Sequence, residues 1–270
     1  MSGPDDFLSG TSGQVHGVRA TTRALLADTI CDTVALARLE PWRLRRAAEH
    51  GPRRRVLALG IEHDHTPNIL AAARAELARS RHDVVFAGAT VGGRGKFQNL
   101  NTLLDGHRAD GYDWLVLVDD DVALPPRFLD AFIFLAERFD LALAQPAHRW
   151  GSHAAWAVTR RRPGSVVRET AFVEIGPVCA LRAVTFAQLL PFPPLRTGWG
   201  LDAHWSAVAR EHGWRLGIVD ATPIRHHLRR IAATYDRASA IAEARAFLDG
   251  RPYTSASEAQ RTLAEHRGWR

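Results

Sequence analysis

The stretch "YDWLVLVDDDVALPP", Tyr112–Pro126, decides the fold. Its apolar run, residues 114–118, leads directly into Asp119, Asp120 and Asp121, and two prolines follow. A short continuous apolar run bounded by polar residues predicts a strand buried on both faces. Three adjacent carboxylates repel one another unless water or a cation offsets their charge. The stretch is therefore either a solvated strand end or a site for a metal or another ligand.

The flanking sequence alternates between strand and helix patterns. Apolar runs predict strands at 55–61, 82–89, 113–118, 140–146, 166–176 and 214–227. Helical spacing predicts helices at 66–80, 96–108, 125–139, 181–191 and 201–213. Buried strands separated by helices indicate an α/β fold with a mostly parallel sheet flanked by helices.

The domain organisation follows from these patterns. Residues 1–50 are predicted to be a flexible start, rich in Gly, Ser and Asp to about residue 18, and then a helical lead-in. Residues 51–228 form the main domain, which divides into halves at 51–147 and 148–228. Residues 229–270 are predicted to add two amphipathic helices.

Composition narrows the class of protein. The chain has 270 residues, 46% hydrophobic and 24% charged, which is typical of a globular protein with an ample core. Its net charge is +6, but the arginines are scattered and Lys96 is the single lysine. No arginine stripe interleaved with aromatic residues is present, so we expect no nucleic-acid partner. A phosphorylated or otherwise anionic substrate suits the charge.

The location of the protein is predicted from what the sequence lacks. Cys31 and Cys179 form no metal-binding or disulfide spacing, which favours free thiols in a reducing compartment. There is no basic and apolar leader, and no apolar run of about 18 residues. We therefore expect a cytoplasmic protein without a transmembrane segment; the sequence predicts no oligomeric state.

The aspartates are placed where parallel sheets bind ligands, outside the carboxyl ends of the strands. In an extended chain, alternate residues point to the same side, so Asp119 and Asp121 can converge on one cation. Carboxylate oxygens suit Mg²⁺ or Mn²⁺, which bridge diphosphate oxygens. We therefore favour a metal or ligand site over a solvated strand end.

Two later motifs carry further candidate groups. In "GWGLD", residues 198–202, the glycines allow close backbone approach and Trp199 offers an apolar face. Asp202 begins a helix, so it is either an N-terminal charge that stabilises the helix or a general base. In "PIRHH", residues 223–227, His226 is either a nitrogen ligand for a carboxylate-bound metal or a surface residue.

Together these segments resemble a known family. The order "YDWLVLVDDDVALPPRFL", "FVEIGPVCALRA", "GWGLDAHW" and "GIVDATPIRH" is similar to family-2-like glycosyltransferases of the GT-A fold and to uncharacterised GT-A-like proteins with a GWGLD motif. The resemblance covers about residues 55–228. It implies a GT-A, Rossmann-like fold in which a DxD element binds a divalent metal and the diphosphate of a nucleotide-sugar.

The resemblance also implies roles for individual residues. Asp119 and Asp121 would bind Mn²⁺ or Mg²⁺ with His226, and Asp120 would lie near the ribose or donor sugar. Asp202 would be the catalytic base of an inverting enzyme. Trp199 and Gly200 would form the acceptor site, with Trp205 as a further stacking candidate. Many relatives have an acid where this chain has Leu201, which leaves a single acid as base.

Donor-binding residues are expected after the first two strands. Glu62 follows the first strand, and Arg94 and Lys96 lie in a glycine-rich turn before a helix, where cations and backbone N–H groups suit phosphates. The turn lacks the spacing of a P-loop. By resemblance to the family's Lys- and Asn-containing helix, Asn99 is also expected to bind the donor.

These observations predict a metal-dependent glycosyltransferase that moves a sugar from a nucleoside-diphosphate sugar to an acceptor hydroxyl. The basic segment 148–165 suits an anionic small-molecule or glycan acceptor. One alternative is a sugar-phosphate nucleotidyltransferase, although the glycine-rich signature expected after the first strand is absent. The other is a non-catalytic nucleotide-sugar-binding protein on the same fold.

Overall fold

The computed structural model describes residues 5–63, 65–229 and 235–270. The parts of the predicted N-terminal segment and C-terminal helices that fall at 1–4 and 230–234 lie outside these residues. The described strands are β1 (Arg55–Glu62), β2 (Asp83–Thr90), β3 (Trp114–Asp119), β4 (Val122–Ala123), β5 (Leu141–His148), β6 (Val167–Thr170), β7 (Val178–Arg182), β8 (Arg215–His226) and β9 (Thr262–His266).

The helices surround this sheet. In the described ranges they are α1 (Val18–Ala37), α2 (Glu40–Glu49), α3 (Leu70–Leu77), α4 (Lys96–Gly106), α5 (Phe128–Arg138), α6 (Phe186–Leu189), α7 (Leu201–Glu211), α8 (Arg237–Leu248) and α9 (Ala256–Ala259). The predicted helical lead-in is present as α1 and α2. None of the described helices is long and apolar enough to cross a membrane.

One sheet joins all the described strands, in the order β2-β1-β3-β7-β5-β8-β6-β9, with β4 paired to β8 beside this path. β1 pairs in parallel with β2 and β3, and β5 pairs in parallel with β8. β7 is antiparallel to both of its neighbours, and β6 is antiparallel to β8 and β9. More neighbouring pairs are antiparallel than parallel, but six of the nine described strands, β1, β2, β3, β5, β8 and β9, run in the same direction. The predicted α/β class with a mostly parallel sheet is confirmed in this sense.

The core lies on both faces of the sheet because alternate residues of each strand point in opposite directions. Leu59 of β1 and Leu117 of β3 belong to a cluster with residues of α4 and α7. Ala58 and Val116 belong to a second cluster with residues of α3 and α5. Burial on both faces explains why these strands are almost continuously apolar.

Two predicted helical regions contain strands instead. Leu181, placed at the start of a predicted helix, lies in β7 between β3 and β5. The predicted second C-terminal helix is replaced by the short α9 and by β9, in which His266 pairs with Val167. The periodicity of a short apolar segment is compatible with a helix or with a strand. Here both segments pair with neighbouring strands of the sheet, and this tertiary context favours the strand.

The predicted flexible start is anchored over much of its length. We call residues 5–15 the N-terminal arm; among the described residues it has turns and bends but no helix or strand. The Phe7 side chain is 4% exposed and belongs to the core cluster of α4 and α7. The composition predicts a flexible segment here, whereas the structure shows irregular backbone held by tertiary contacts that composition does not indicate.

A buried ion pair connects β6 to β8. Arg168 Nε donates to Asp220 Oδ2 at 2.8 Å, Nη2 donates to Oδ1 at 3.0 Å, and both side chains are fully buried. Asp220 also accepts from Ser165 Oγ at 2.7 Å, and Arg168 Nη1 donates to the Val158 carbonyl at 2.6 Å. Bidentate geometry with every remaining group satisfied is the arrangement that compensates for desolvation of both charges.

Removing one partner of this pair should strongly destabilise the protein. Asp220→Ala leaves the Arg168 charge buried without its carboxylate, so we expect the free energy of unfolding to fall by about 3–5 kcal/mol. Urea unfolding measures the change. Glu49→Ala is the control, because Glu49 pairs with Arg45 on the surface at 3.6 Å and should change stability by less than about 1 kcal/mol. Equal effects of the two substitutions would contradict the prediction.

Candidate functional site

The predicted motifs meet at one cavity of about 550 Å³ outside the carboxyl ends of β1 and β3. A parallel sheet presents its strand ends at this edge, which explains why residues distant in sequence converge here. The predicted site residues that line it are Arg94, Lys96, Asp119, Asp120, Asp121, Trp199, Gly200, Asp202 and His226.

Asp119 ends β3 and faces a cation from the start of α4. Lys96 Nζ lies 2.5 Å from Asp119 Oδ1. Burial raises the pKa of Asp119, the Lys96 charge opposes this, and the neighbouring Asp121 adds to it, so that the pKa lies above its ordinary value. Lys96 thus supplies a positive charge opposite a half-buried carboxylate.

Asp121 faces His226 because β4 pairs with the end of β8, where Val122 is opposite His226. His226 Nε2 lies 3.1 Å from Asp121 Oδ2, and Arg229 Nε lies 3.3 Å from the same oxygen. Burial favours a raised pKa for Asp121, but the hydrogen bond from His226 and the charges of His226 and Arg229 outweigh it and lower the pKa. Burial lowers the pKa of His226, yet its bond to Asp121 raises it overall.

Asp120 has a different environment from its neighbours. Its side chain is 1% exposed, Oδ2 accepts from the His63 backbone N–H at 2.9 Å, and both oxygens accept from Arg229. The predicted contact of Asp120 with the donor is therefore not favoured by the geometry. Instead Asp120 holds the end of β1 and Arg229 against the cavity.

The donor atoms present fit a divalent cation. His226 Nδ1 lies 3.1 Å from the His153 carbonyl, which can only accept, so Nδ1 carries a proton and Nε2 faces Asp121. A histidine fixed in this way by a backbone carbonyl is the usual form of a metal ligand. Two carboxylates and one imidazole suit Mn²⁺ or Mg²⁺.

No complete metal site is formed, however. In the described part of the chain, no three His, Cys, Asp or Glu side chains are arranged to hold a metal ion. Lys96 and Arg229 instead contact the oxygens of Asp119 and Asp121. A cation bound here would replace part of these contacts.

The "GWG" element depends on its glycines. Gly198 and Gly200 both have positive φ, 81° and 82°. A Cβ on Gly198 would lie 2.0 Å from the Phe97 ring, so only glycine fits this approach. Between them, Trp199 lines the cavity, and its Nε1 donates to Tyr235 Oη at 2.8 Å. The loop before it is held by Glu243, whose carboxylate accepts from the backbone N–H groups of Arg196 and Thr197.

Asp202 lies in the first turn of α7 and lines the cavity. Burial, followed by the charge of Glu174, raises the pKa of Asp202 to about 7. The hydrogen bond from the Ala203 N–H, 2.9 Å from Oδ1, opposes this shift. A carboxylate with a pKa near 7 is suited to general-base catalysis, because about half of it is ionised at neutral pH and the ionised form accepts protons readily.

Sequence reasoning missed two titratable groups in the same cavity. His148 is fully buried at the end of β5, and its Nε2 lies 3.5 Å from Glu174 Oε2. Within the described residues, neither ring nitrogen of His148 nor Glu174 Oε2 has a hydrogen-bond partner. Burial lowers the pKa of His148, opposed by Glu174. The sequence signal for Glu174 is an acid inside the apolar stretch "FVEIG", whose pattern predicts a strand.

Sequence reasoning also missed Arg229, which contacts Asp120 and Asp121, and Tyr235, which accepts from Trp199. Arg196 and Arg237 line the cavity as well. Their contacts join segments far apart in the chain, and no local pattern indicates them.

Two predicted binding residues are structural instead. Trp205 is 2% exposed and packs in the core against Phe192, with ring centroids 5.8 Å apart, so the predicted acceptor stacking is wrong. Asn99 is 6% exposed, and its Nδ2 donates to the Val91 carbonyl at 2.9 Å. It supports the glycine-rich turn rather than facing a donor.

The remaining predicted donor residues lie at or beyond the rim. Glu62 does not line the cavity; at the end of β1 it accepts from Asn68 Nδ2 at 3.1 Å. Arg94 is exposed at the rim, and its Nη1 donates to Thr102 Oγ1 at 2.9 Å.

The arginines that suggested an anionic acceptor are bound within the protein. Arg160 Nη1 donates to the carbonyls of Arg149, Trp150 and Ser152. Arg161 pairs with Asp32. Because internal groups hold these guanidinium groups, segment 148–165 does not support an anionic acceptor.

Comparisons with known proteins give a likeness in fold. No family model and no curated protein matches the sequence. The crystal structure of GalNAc-T7 with UDP, GalNAc and Mn²⁺ is similar, with a TM-score of 0.50 and 11% identity over 66% of this chain. This chain spans 44% of the length of that protein.

Two further solved structures are similar with lower TM-scores. The crystal structure of A197 from STIV has a TM-score of 0.43 and 12% identity, and it covers 65% of this chain and 86% of that one. That of a mycobacterial protein has a TM-score of 0.46 and 14% identity, and it covers 83% and 86%. Together with the sheet described above, the likeness to GalNAc-T7 shows that this chain has a GT-A-like fold.

Proposed function

We propose that the protein is a metal-dependent glycosyltransferase, which moves a sugar from a nucleoside-diphosphate sugar to an acceptor hydroxyl. The observation that carries the proposal is the cavity itself. It brings the Asp121–His226 pair, the cations Lys96 and Arg229, and the high-pKa Asp202 to one sheet edge. The GT-A-like fold supports it.

The donor diphosphate would lie against the cationic side of the cavity. Lys96 and Arg229 are held there by Asp119 and by Asp120 and Asp121. Asp121, His226 and Asp119 would hold Mn²⁺ or Mg²⁺. The positive charge of the metal would offset the negative charge that develops on a departing diphosphate. Arg229, which Asp120 also holds, would keep its place if a metal took over Asp119 and Asp121, and a cation that needs no rearrangement during the reaction lowers the barrier.

Asp202 would act on the acceptor. Its ionised carboxylate would take the proton of the acceptor hydroxyl while that oxygen bonds to the anomeric carbon and the bond to the diphosphate oxygen breaks. Attack from the face opposite the leaving group inverts the anomeric centre through an oxocarbenium-like transition state. Trp199 offers an apolar surface to a sugar ring beside this acid.

Two other functions remain alternatives on the same fold. A sugar-phosphate nucleotidyltransferase would release pyrophosphate from a nucleoside triphosphate and a sugar phosphate. A non-catalytic protein would bind the nucleotide-sugar without consuming it. Incubation of the protein with nucleotide-sugars and Mn²⁺ distinguishes them, because only a glycosyltransferase yields nucleoside diphosphate by transfer or slow hydrolysis.

Nucleotide binding should depend on metal through Asp121. We expect one of UDP, GDP, ADP or CDP to raise the melting temperature with Mn²⁺ and not with EDTA; saturation at 100 times Kd corresponds to about 2.7 kcal/mol. Asp121→Asn should lose the metal-dependent part, because an amide is a weaker ligand than a carboxylate. Asp110→Asn, on an exposed ion pair with Arg108, is the matched control. An increase in melting temperature that does not depend on Mn²⁺, or that is retained in Asp121→Asn, would contradict the assignment of Asp121 as a metal ligand.

Transfer should depend on pH through Asp202. The base works ionised, and its pKa is about 7, so the rate should fall as pH decreases through 7. Glu174→Gln removes a charge that raises this pKa, so the acidic limb should move to lower pH. Glu169→Gln is the control, because Glu169 pairs with His266 on β9 at 2.9 Å. The rate of nucleotide-sugar consumption is measured from pH 5 to 9. If the acidic limb of the pH–rate profile lies at the same pH in Glu174→Gln and Glu169→Gln, the role of the Glu174 charge is contradicted.

The role of Asp202 can be separated from binding. Asp202→Asn should reduce transfer by about 10²–10⁴, the usual contribution of a general base. Nucleoside diphosphate binding in the presence of Mn²⁺ should be kept, because Asp202 makes no contact with Lys96 or Arg229 among those described. Full transfer activity in Asp202→Asn would remove this residue from the mechanism.

A further inference from the structure

The N-terminal arm crosses the site and is fixed at both ends. At one end, Asp5 forms a two-point ion pair with Arg245 of α8, at 2.7 and 2.6 Å. Asp6 accepts from Tyr253 Oη at 2.7 Å. The buried ring of Phe7 then anchors the arm in the core.

At its other end the arm pairs with the loop after β5. The Ala154 N–H donates to the Gly13 carbonyl at 3.0 Å, and the Val15 N–H donates to His153 Nδ1 at 3.2 Å. Gly13 has a φ of 61°, and a Cβ there would lie 2.4 Å from the carbonyl carbon of Ala154. This contact is backbone against backbone, so no side-chain rotation can relieve it.

Between these anchors the arm is a wall of the cavity. The lining residues it contributes are Phe7, Leu8, Ser9, Thr11, Ser12 and Gln14. None of them is charged, and four carry hydroxyl or amide groups that donate and accept hydrogen bonds. By contrast, the Lys and Arg side chains that line the cavity all lie on its other segments: Arg94, Lys96, Arg196, Arg229 and Arg237. Of these, Lys96 and Arg229 lie beside the aspartates and suit a diphosphate.

We propose that the N-terminal arm forms the acceptor subsite and selects a small, neutral, polyhydroxylated acceptor. The inference rests on the proposed glycosyl transfer. Apolar surface combined with a few neutral hydrogen-bonding groups suits a sugar ring, and it offers no counter-charge to an anion. The cavity of about 550 Å³ must hold the transferred sugar as well, which leaves room beside it for a small acceptor.

The test compares two glycines of the arm. Gly13→Ala creates the backbone clash and should displace the arm. Gly10→Ala is the matched control, because Gly10 also has a positive φ, 74°, but has nothing within 4 Å of its Cβ position and does not line the cavity. Backbone strain from the new methyl group is therefore common to both variants, and loss of docking is specific to Gly13→Ala.

Hydrogen exchange of residues 5–15 without ligand measures docking. Faster exchange in Gly13→Ala than in Gly10→Ala is expected, and equal exchange overturns the anchoring argument. With Mn²⁺ and the nucleoside diphosphate that binds wild type, both variants should bind as wild type does. Loss of that binding in Gly13→Ala alone would assign the arm to the donor and overturn the proposal.

The acceptor class is tested by transfer to glucose and mannose against their 6-phosphates. We expect the neutral sugars to be used, and Gly13→Ala to lose about a hundredfold in this transfer through misplacement of the acceptor, while hydrolysis of the donor continues. Preference for the phosphates, or equal transfer by Gly13→Ala and Gly10→Ala, overturns the proposal. Failure of wild type to bind any nucleoside diphosphate would instead overturn the proposed function, and the ligand-free exchange comparison would still stand.

Discussion

Three adjacent carboxylates at the end of a buried strand require positive charge, and the arrangement of the site follows from how that charge is supplied. Lys96 comes from the start of α4, His226 from the end of β8, and Arg229 from just beyond it. Lys96 contacts Asp119, His226 contacts Asp121, and Arg229 contacts both Asp120 and Asp121. The cost of leaving these carboxylates unpaired thus holds the start of α4 and the end of β8 against the end of β3, at one edge of the sheet.

Close backbone contacts at two glycines also position the site. Gly95 has no room for a Cβ beside Arg196, and Gly198 has none beside the Phe97 ring. Residues 196–198 therefore lie directly on the start of α4. The turn and helix that follow them present Trp199 and Asp202 to the same cavity as Lys96. Because α7 and α4 are packed in one core cluster, Lys96 and Asp202 are held by helices, and Trp199 lies in the turn directly before α7.

The parts of this site that sequence reasoning predicted are those encoded locally. The apolar run before Asp119 determines the strand, the strand end determines where its carboxylates lie, and the glycines mark the turn before Asp202. Trp205 was misassigned because which side of α7 meets the core is set by packing, in this case against Phe192. Glu174 cannot be identified as a site residue from the sequence, because its role depends on its interactions with His148 and Asp202, which belong to other elements.

The pairing of β4 with β8 has a consequence for how the protein folds. Asp121 and His226 are 105 positions apart in sequence, so their contact closes a long loop and carries a large entropic cost. β1, β2 and β3 are by comparison neighbours in the chain, and contacts of low sequence separation form more readily. A folding intermediate with only these strands would have the aspartates in place without His226 and Arg229. Binding competence therefore requires the second half of the chain to dock on the first, because His226 and Arg229 both belong to it.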